Sequence, residues 1–91
     1  MNPNTNIKEI AQILADIDDR LLIENFLKNV LTDTELKNLA SRWEIVKLLD
    51  RGVSQRKIAK DLHLSLCKIT RGSKVLKEKN SAVKKIIHKS N

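Results

Sequence analysis

The sequence predicts an all-α protein. Only two glycines and one proline occur among its 91 residues, so few positions favour turns or interrupt a helix. Apolar side chains recur at every third or fourth position over much of the chain, which is the spacing of one helix face. These observations predict six helices within a single domain of residues 1–91, four of them forming a framework.

The first two helices are predicted from their apolar spacing. Residues 1–4 are polar and are expected to be disordered. From Ile7 to Leu21 the apolar positions follow the helical period, and the aspartates within residues 16–19 are expected to end this helix. The denser apolar stretch at residues 22–31 predicts a short, heavily buried second helix.

The third helix is expected to begin at a capping box, in which the Thr32 hydroxyl bonds forward and Glu35 reaches back. Its apolar stripe includes Trp43, which is expected to lie in the core. The stripe is wide enough to suggest contact with more than one neighbour, and Gly52 is a suitable C-terminal cap. Residues 5–50 are therefore interpreted as framework helices that form a dimer interface.

Residues 54–77 predict two short amphipathic helices joined by a tight turn. Ser54 and Ser65 are the expected N-caps, and a final helix is expected within residues 80–91. The pair predicts a helix-turn-helix, whose second helix enters the major groove of DNA. An ordinary helical hairpin with a solvated basic face is the alternative. The apolar residues expected on the buried faces of the pair are Ile58, Ala59, Leu62, Leu66, Ile69 and Leu76.

Chain length favours a homodimer. A chain this short buries only about 60–65% of its unfolded surface, so a single core is marginal. Cys67 is the only cysteine, which excludes an internal disulfide, and no residue cluster supplies a structural metal site. Oligomerisation is the remaining common way to bury more surface.

Charge is concentrated in the second part of the chain. Residues 1–40 carry four basic and seven acidic side chains, a net charge of −3, whereas residues 41–91 carry fourteen basic and four acidic ones, a net charge of +10. This asymmetry indicates a polyanionic partner. Phe26 and Trp43 are the only aromatic residues, too few for membrane anchoring or for stacking on single strands, so double-stranded DNA is favoured.

Other function classes are disfavoured by the sequence. His63 and His88 are isolated, so neither catalytic nor metal-binding residues are predicted, and an enzyme is not expected. No apolar run approaches the ~20 residues that span a bilayer, and no signal peptide is recognisable. No membrane partner is therefore expected, and the protein is expected to be cytoplasmic.

Several short motifs resemble the tryptophan repressor family. They are Leu-Thr at residues 31–32, Arg42, Arg-Gly at 51–52, Ser-Gln-Arg at 54–56, Ile-Thr-Arg-Gly-Ser at 69–73 and Leu-Lys at 76–77. The match covers residues 31–79, and its most specific part is the Ile-Thr-Arg-Gly-Ser string beside a helix-turn-helix. The resemblance implies an intertwined homodimer that binds palindromic operator DNA when L-tryptophan, its corepressor, occupies a pocket in each half. No other cofactor is implied.

The resemblance also implies the residues of the tryptophan pocket, which in the family lies between the framework helix of one subunit and the recognition helix of the other. Arg42 and Arg71 are implied to sandwich the indole, and Arg71 to bind the carboxylate through its guanidinium. Thr32 is implied to contact the carboxylate through its hydroxyl, and Gly72 to leave room for the ring edge. The backbone carbonyls implied to accept hydrogen bonds from the ammonium are those of Asn29 and Leu31.

The chain departs from the family pattern at four places. Val75 stands where the family usually has a serine that contacts the ammonium, and Lys74 stands where it has an asparagine. The link formed by Val53 is one residue shorter, and the turn at residues 63–65 lacks the glycine-rich form, which is expected to stiffen the reading unit. These differences are expected to weaken or retune the ligand response without abolishing it.

The residues expected to face DNA lie on the two helices of the predicted helix-turn-helix. Arg56 and Lys68 carry donors that can reach guanine O6 and N7, with phosphate contact as the alternative. Cys67 is expected to touch a thymine methyl group, and phosphate contact is preferred for Lys77. The full set is Gln55, Arg56, Leu66, Cys67, Lys68, Thr70 and Lys77.

The sequence therefore predicts a tryptophan-activated, sequence-specific transcriptional repressor that controls genes of tryptophan biosynthesis or uptake. Two alternatives stay open. One is a ligand-independent helix-turn-helix DNA-binding module, and the other is a helical protein-interaction domain whose basic face docks an acidic partner. For Arg42 and Arg71, phosphate contact or a surface ion pair is the alternative to ligand binding.

Overall fold

Six α-helices make up the subunit. The computed structural model describes residues 1–90, and no β-strand occurs among them. The predicted all-α, six-helix subunit is confirmed. Asn91, the last residue of the predicted C-terminal segment, lies outside the described residues. The helices are α1 (Pro3–Asp16), α2 (Arg20–Val30), α3 (Asp33–Asp50), α4 (Gln55–Leu62), α5 (Leu66–Lys77) and α6 (Ala82–Ser90).

Contacts between residues divide the chain into two compact units, Met1–Leu36 and Lys37–Asn91. The first contains α1, α2 and the start of α3, and the second contains the rest of α3 together with α4, α5 and α6. Each unit is described by itself. The organisation as a single domain stays a prediction.

The start of the first unit is helical rather than disordered. The expectation of disorder at residues 1–4 is wrong, because α1 begins at Pro3. Asn2 Oδ1 accepts a hydrogen bond from the Asn4 backbone N–H at 3.0 Å. Proline is favourable in the first helical turn, where its missing N–H group would have no helical partner. The polar residues therefore cap a helix.

The aspartates between α1 and α2 end one helix and begin the next. As predicted, α1 ends at Asp16. Asp19 Oδ1 then accepts hydrogen bonds from the backbone N–H groups of Leu21 and Leu22, at 3.1 and 3.2 Å. This N-cap starts α2 at Arg20, so Leu21 belongs to α2 and not to the first helix.

The apolar faces of α1 and α2 are only partly covered. Neither helix contains a buried residue, so the expectation of a heavily buried second helix is wrong for this chain. Ile7 retains 64% of its accessible surface and Leu21 retains 59%. The helical spacing is as predicted, but the unit covers the apolar stripe only in part: the half-buried side chains are Leu14, Ile17, Ile23, Phe26 and Leu27.

Three isoleucines from three helices form the core of the second unit. Ile45 of α3 is 2% exposed, and Ile58 of α4 and Ile69 of α5 are fully buried. Leu66 is 47% exposed, so its predicted place on the buried side of α5 is wrong. The buried side of α5 is centred on Ile69 and Ser73, which leaves Leu66 at its edge. Partly buried side chains that surround the core are Leu48, Leu49, Val53, Ala59, Leu62 and Leu64.

α3 and α4 each end at a residue in the left-handed conformation. Gly52, at φ +88°, donates to the Leu49 carbonyl at 3.0 Å, and Val53 donates to the Leu48 carbonyl at 3.1 Å. This Schellman pattern confirms the predicted cap. His63, at φ +55°, ends α4 in the same way, because the next N–H group donates to the Ala59 carbonyl at 3.0 Å.

The last helix, α6, packs against α5. The Ser81 hydroxyl caps it by accepting from the Lys84 N–H group at 3.2 Å, and Ile87 is buried. His88 Nε2 lies 3.1 Å from Asp50 Oδ1 at the end of α3. α6 is thereby attached to two other helices of its unit.

Trp43 does not lie in the core of this unit. It retains 37% of its accessible surface, so the expectation that it is a core residue is wrong for the subunit by itself. The buried residues of α3 are Ile45 and Val46. The apolar stripe of α3 is too wide for a single packed face, and Trp43 lies on the part that is left uncovered.

No helix within residues 1–90 combines the length and apolar character needed to cross a membrane.

Candidate functional site

The α4–α5 pair is held rigidly by its core and its turn. Ser54 caps α4, because its hydroxyl accepts from the Lys57 N–H group at 3.2 Å, as predicted. The connection at residues 63–65 is short, and Ile58 packs against Ile69 beneath it. Ser65 occupies the N-cap position of α5 but makes no capping hydrogen bond, so its predicted capping role is wrong at the level of the side chain.

The outer face of α5 carries positive charge that no ion pair neutralises within residues 1–90, although Glu78 lies near Lys74 and Lys77. Lys57 pairs with Asp61 at 3.2 Å and Lys47 pairs with Glu44 at 2.9 Å, each within one helix. The basic side chains of α5 make no ion pair with any described residue. This exposed face is suited to bind a polyanion. Its basic residues are Lys68, Arg71, Lys74 and Lys77.

Two of the residues expected to face DNA contact each other. The Thr70 hydroxyl donates to Gln55 Oε1 at 3.1 Å, and it also lies 3.0 Å from the Leu66 carbonyl oxygen. The contact joins the first turn of α4 to the middle of α5. Gln55 is half-buried, and the rest of the expected DNA-facing set is exposed, namely Arg56, Leu66, Cys67, Lys68, Thr70 and Lys77.

The two flanks of α5 have different surroundings. Successive residues of a helix are rotated by about 100°, so Arg71 points away from the α4 side on which Thr70 meets Gln55. Gly72 is next to α3: a Cβ atom there would lie 3.0 Å from Ile45 Cγ2 and 3.6 Å from Val46 Cγ1. Gly72 and the half-buried Val75 therefore lie toward α3, and Arg71, one turn before Val75, lies between this side and the exposed outer face of α5.

Arg42 lies near the same contact between α3 and α5. It is exposed, and it precedes Val46 by one helical turn on the same face of α3. Neither Arg42 nor Arg71 makes a side-chain hydrogen bond or an ion pair with a described residue. Gly72 has a packing role that the sequence did not indicate, since the space beside it is filled by side chains of α3.

The capping box of α3 has the predicted geometry. Thr32 donates its backbone N–H group to Glu35 Oε1 at 2.8 Å, and the Glu35 N–H group donates to the Thr32 hydroxyl at 3.1 Å. The backbone hydrogen bond from Thr32, together with its nearby hydroxyl, lowers the pKa of Glu35 below its ordinary value. The Thr32 hydroxyl therefore has a structural partner in addition to its expected ligand.

The end of α2 carries backbone acceptors. α2 ends at Val30, and Leu31 donates to the Leu27 carbonyl at 3.0 Å. The carbonyls of Asn29 and Leu31 accept no hydrogen bond from a described residue, as is usual for the last turn of a helix. They are available to a cationic group.

No metal-binding group of three or more His, Cys, Asp or Glu side chains occurs in the part of the chain that the structure describes. Cys67 is an exposed thiol on the outer face of α5. His88 is engaged with Asp50. The geometry thus offers an exposed basic face on α5.

A comparison with protein families identifies the chain. The model of the family described as Trp repressor protein matches residues 5–91. The chain belongs to the Trp repressor protein family. The Trp repressor match extends to most of the chain, whereas the motifs in the sequence covered only residues 31–79. This family is regulatory rather than enzymatic, so membership indicates a regulator of the Trp-repressor type.

Curated relatives of the Trp repressor family agree with this assignment. The Trp operon repressor homolog of Chlamydia trachomatis serovar D is 37% identical over 83 residues, which cover 86% of this chain and 88% of the relative. The Trp operon repressor homolog of Xylella fastidiosa strain M23 is 35% identical over 72 residues, 78% of each chain. No solved structure matches the chain.

Four features of this Trp repressor family member were not predicted from sequence. They are the hydrogen bond between Thr70 and Gln55, the packing of Gly72 against α3, the burial of Ser73, and the contact between His88 and Asp50. The adjacent small residues Gly72 and Ser73 could have suggested the second and third features, since two small residues in a helix allow a close neighbour. The other two contacts join residues distant in sequence, and no local pattern marks them.

Proposed function

We propose that the protein is a homodimeric, sequence-specific DNA-binding repressor that L-tryptophan activates. The observation that carries this proposal is the position of Arg71, between the exposed basic face of α5 and the flank where Gly72 meets α3. One helix thus carries both the side chain expected to bind the ligand and those expected to face DNA. The names of the relatives, Trp operon repressor homologs, support control of genes for tryptophan biosynthesis or uptake.

DNA binding is assigned to α4 and α5 as a helix-turn-helix. The second helix of such a motif lies in the major groove, where the N-terminal residues meet base edges. Leu66 and Cys67 occupy the first turn of α5 and offer apolar contact to thymine methyl groups. Arg56 and Lys68 offer donors to guanine or phosphate, and Lys77 a charge to phosphate.

The tryptophan site is assigned to the residues that the family resemblance implies. Arg42 and Arg71 would hold the indole between two guanidinium planes, and the Arg71 fork suits a carboxylate. The free carbonyls at the end of α2 suit an ammonium group. Val75, one helical turn after Arg71, adds an apolar surface beside it. It lacks the hydroxyl with which the family's usual serine contacts the ammonium group. The remaining residues of the proposed site are Thr32, Gly72, Asn29 and Leu31.

Homodimer formation is supported by the uncovered apolar surface of α1 and α2. Monomeric proteins rarely leave a continuous apolar stripe in water. Ile7, Ile10 and Ile13 of α1, all exposed, recur at helical spacing on one face. A second copy of the chain, presenting the same faces, is the partner that we propose for this surface.

The proposed mechanism follows from the shared helix. Tryptophan bound beside Arg71 would hold α5 at the inclination required by DNA, with the two recognition helices of the dimer about 34 Å apart. Because ligand and DNA are linked through α5, tryptophan must increase DNA affinity by the same factor by which DNA increases tryptophan affinity.

A gel-shift titration tests this mechanism. Duplexes enriched by the protein from a randomised pool are titrated with and without L-tryptophan, and binding is expected to be at least tenfold tighter with the ligand. Equal affinity in both conditions would indicate a ligand-independent DNA-binding module. Failure to enrich any duplex at physiological salt would favour a protein-interaction domain.

Substitution of Arg71 tests the pocket. Arg71→Leu and Lys74→Leu each remove one positive charge from α5, so both should weaken DNA binding through lost phosphate attraction. Only Arg71→Leu is expected to abolish the effect of tryptophan and the heat of tryptophan binding in calorimetry. An unchanged tryptophan response in Arg71→Leu contradicts the pocket assignment.

A further inference from the structure

One side-chain hydrogen bond joins α4 to α5 within the described residues, and it involves Thr70 and Gln55. Thr70 Oγ1 lies 3.1 Å from Gln55 Oε1 and 3.0 Å from the Leu66 carbonyl oxygen. A hydroxyl group has one hydrogen, which these two acceptors share. Because the contact spans two helices, it fixes the Gln55 side chain relative to the face of α5.

The hydrogen bond also orients the carboxamide of Gln55. Its oxygen is turned toward Thr70, and its two N–H groups have no acceptor among the described residues. The surface concavity at this point is lined by Gln55, Thr70, Ser73, Lys74, Lys77 and Glu78. Gln55 therefore presents hydrogen-bond donors, with two lysines beside it, to whatever occupies this surface.

The orientation selects among the groups that DNA presents. A glutamine that pairs with adenine uses both ends of its amide, accepting from N6 and donating to N7. Guanine offers two neighbouring acceptors, O6 and N7, and a phosphate offers acceptors alone. The Gln55 oxygen keeps a second lone pair, but it is turned toward Thr70, so the unpartnered N–H groups match the second kind of group better.

We infer that Thr70 is a positioning residue, which sets Gln55 to bind an acceptor of the DNA that has no donor beside it. The acceptor is a guanine edge or a phosphate oxygen, and adenine is disfavoured at that position. This inference rests on the proposed function and adds to it a determinant of sequence preference that acts through a second side chain.

Coupled substitutions test the positioning role. Duplexes enriched from a randomised pool by the wild-type protein with L-tryptophan serve as the probe. Thr70→Val removes the hydroxyl at nearly constant shape and is expected to weaken binding about tenfold, whereas Thr70→Ser retains the hydroxyl and is expected to restore affinity. In a Gln55→Ala background, Thr70→Val should have no further effect, because its action passes through the amide.

Two further arms identify the acceptor. Each guanine of the enriched duplex is replaced in turn by 7-deazaguanine, which lacks N7. A base contact is indicated if one replacement weakens binding of the wild type tenfold but does not weaken binding of Thr70→Val. A uniform loss over all sequences, with the salt dependence of binding unchanged because Gln55 is uncharged, indicates a phosphate. Gln55→Glu, which replaces the donors by an acceptor, is expected to lose at least tenfold in either case.

The outcomes separate this inference from the proposed function. If the wild-type protein enriches no duplex, the proposed function fails and the inference fails with it. If it enriches a duplex but Thr70→Val binds as the wild type does, or its effect adds to that of Gln55→Ala, the inference alone is overturned. Thermal unfolding of each variant shows whether a loss of affinity comes from misfolding.

Discussion

Gly52 and Gly72 are needed for different physical reasons. Gly52 lies at φ +88°, a conformation that costs other residues about 1–2 kcal/mol, yet no atom lies within 4 Å of where its Cβ would be. Gly72 has ordinary helical geometry, but a Cβ there would lie 3.0 Å from Ile45 Cγ2. One glycine provides a backbone conformation, and the other provides space.

Alanine substitutions distinguish the two reasons. Gly72→Ala gains about 1 kcal/mol of helix propensity but overpacks against a buried isoleucine, which typically costs about 1–3 kcal/mol. We expect a net loss of about 1 kcal/mol in the free energy of unfolding, measured by urea denaturation. Gly52→Ala should lose a similar amount through backbone strain alone.

A double-mutant cycle with Ile45→Ala provides the control. The cost of Gly72→Ala should shrink when Ile45 is truncated, because the space is then available, whereas the cost of Gly52→Ala should not change. Additive effects for Gly72 and Ile45 would contradict the packing explanation.

At the residue scale, the sequence predicted the roles of individual side chains better than it predicted their burial and contacts. Thr32 and Glu35 were predicted to cap α3 because their signal is local, and both hydrogen bonds are present. Leu66 was misplaced, because helical spacing identifies a stripe but does not show where its edge lies. The roles of Arg42 and Arg71 in ligand binding stay predictions.

At the scale of helices, the capping box makes the start of α3 sensitive to pH. Its hydrogen bonds with Thr32 lower the pKa of Glu35 in the folded protein below 4.5, the ordinary value. Because the pKa is lower in the folded protein, the ionised carboxylate stabilises the fold at pH values above the ordinary pKa. That contribution is lost as the pH falls through the lowered value.

Glu35→Gln tests this contribution. The neutral amide can still accept from the Thr32 N–H group, but it does not titrate. We expect the stability difference between wild type and Glu35→Gln to be present at neutral pH and to diminish as the pH falls below the ordinary pKa of 4.5, measured by urea unfolding at a series of pH values. Glu9→Gln, at an exposed position of α1, is the matched control for the loss of one carboxylate.

The helix ends lie where the sequence predicted them at the positions where the capping residue was unambiguous. Gly52 and Ser54 mark their boundaries, and both act as predicted. The boundary between α1 and α2 was placed wrongly for Leu21, because an uninterrupted apolar period conceals the break that Asp19 introduces. Capping by a side chain outweighed periodicity at that point.

At the scale of the whole molecule, the buried core is small and lies in the second unit. Ile45, Ile58 and Ile69 are covered by neighbours within the chain, while α1 and α2 bury no residue. The sequence predicted which side chains share a helix face but not which faces meet, since that depends on partners absent from the local pattern. The proposed dimer accounts for the faces left uncovered.

Dilution tests the dimer. Trp43 is the only tryptophan and is 37% exposed within the subunit, so its fluorescence is expected to shift to the red as a dimer dissociates. Leu21→Glu should raise the dimer dissociation constant at least a hundredfold, because the loss of about 1.5–3 kcal/mol per buried leucine occurs in both copies. Sedimentation equilibrium measures this constant.

The matched control for Leu21→Glu is Ile86→Glu. Ile86 of α6 is similarly exposed but lies outside the predicted framework of residues 5–50, so its replacement should leave the dissociation constant unchanged. Equal behaviour of the two variants, or a wild-type protein that is monomeric at high concentration, would contradict the assignment of the α1 and α2 faces to a second copy.

The lone exposed thiol has a practical consequence. Cys67 is the only cysteine of the chain, and it lies on the outer face of α5. A maleimide reagent can therefore modify this protein at one defined position without any engineering. The rate of that modification becomes a footprint of α5, because any macromolecule seated on this face shields the sulfur and slows the reaction.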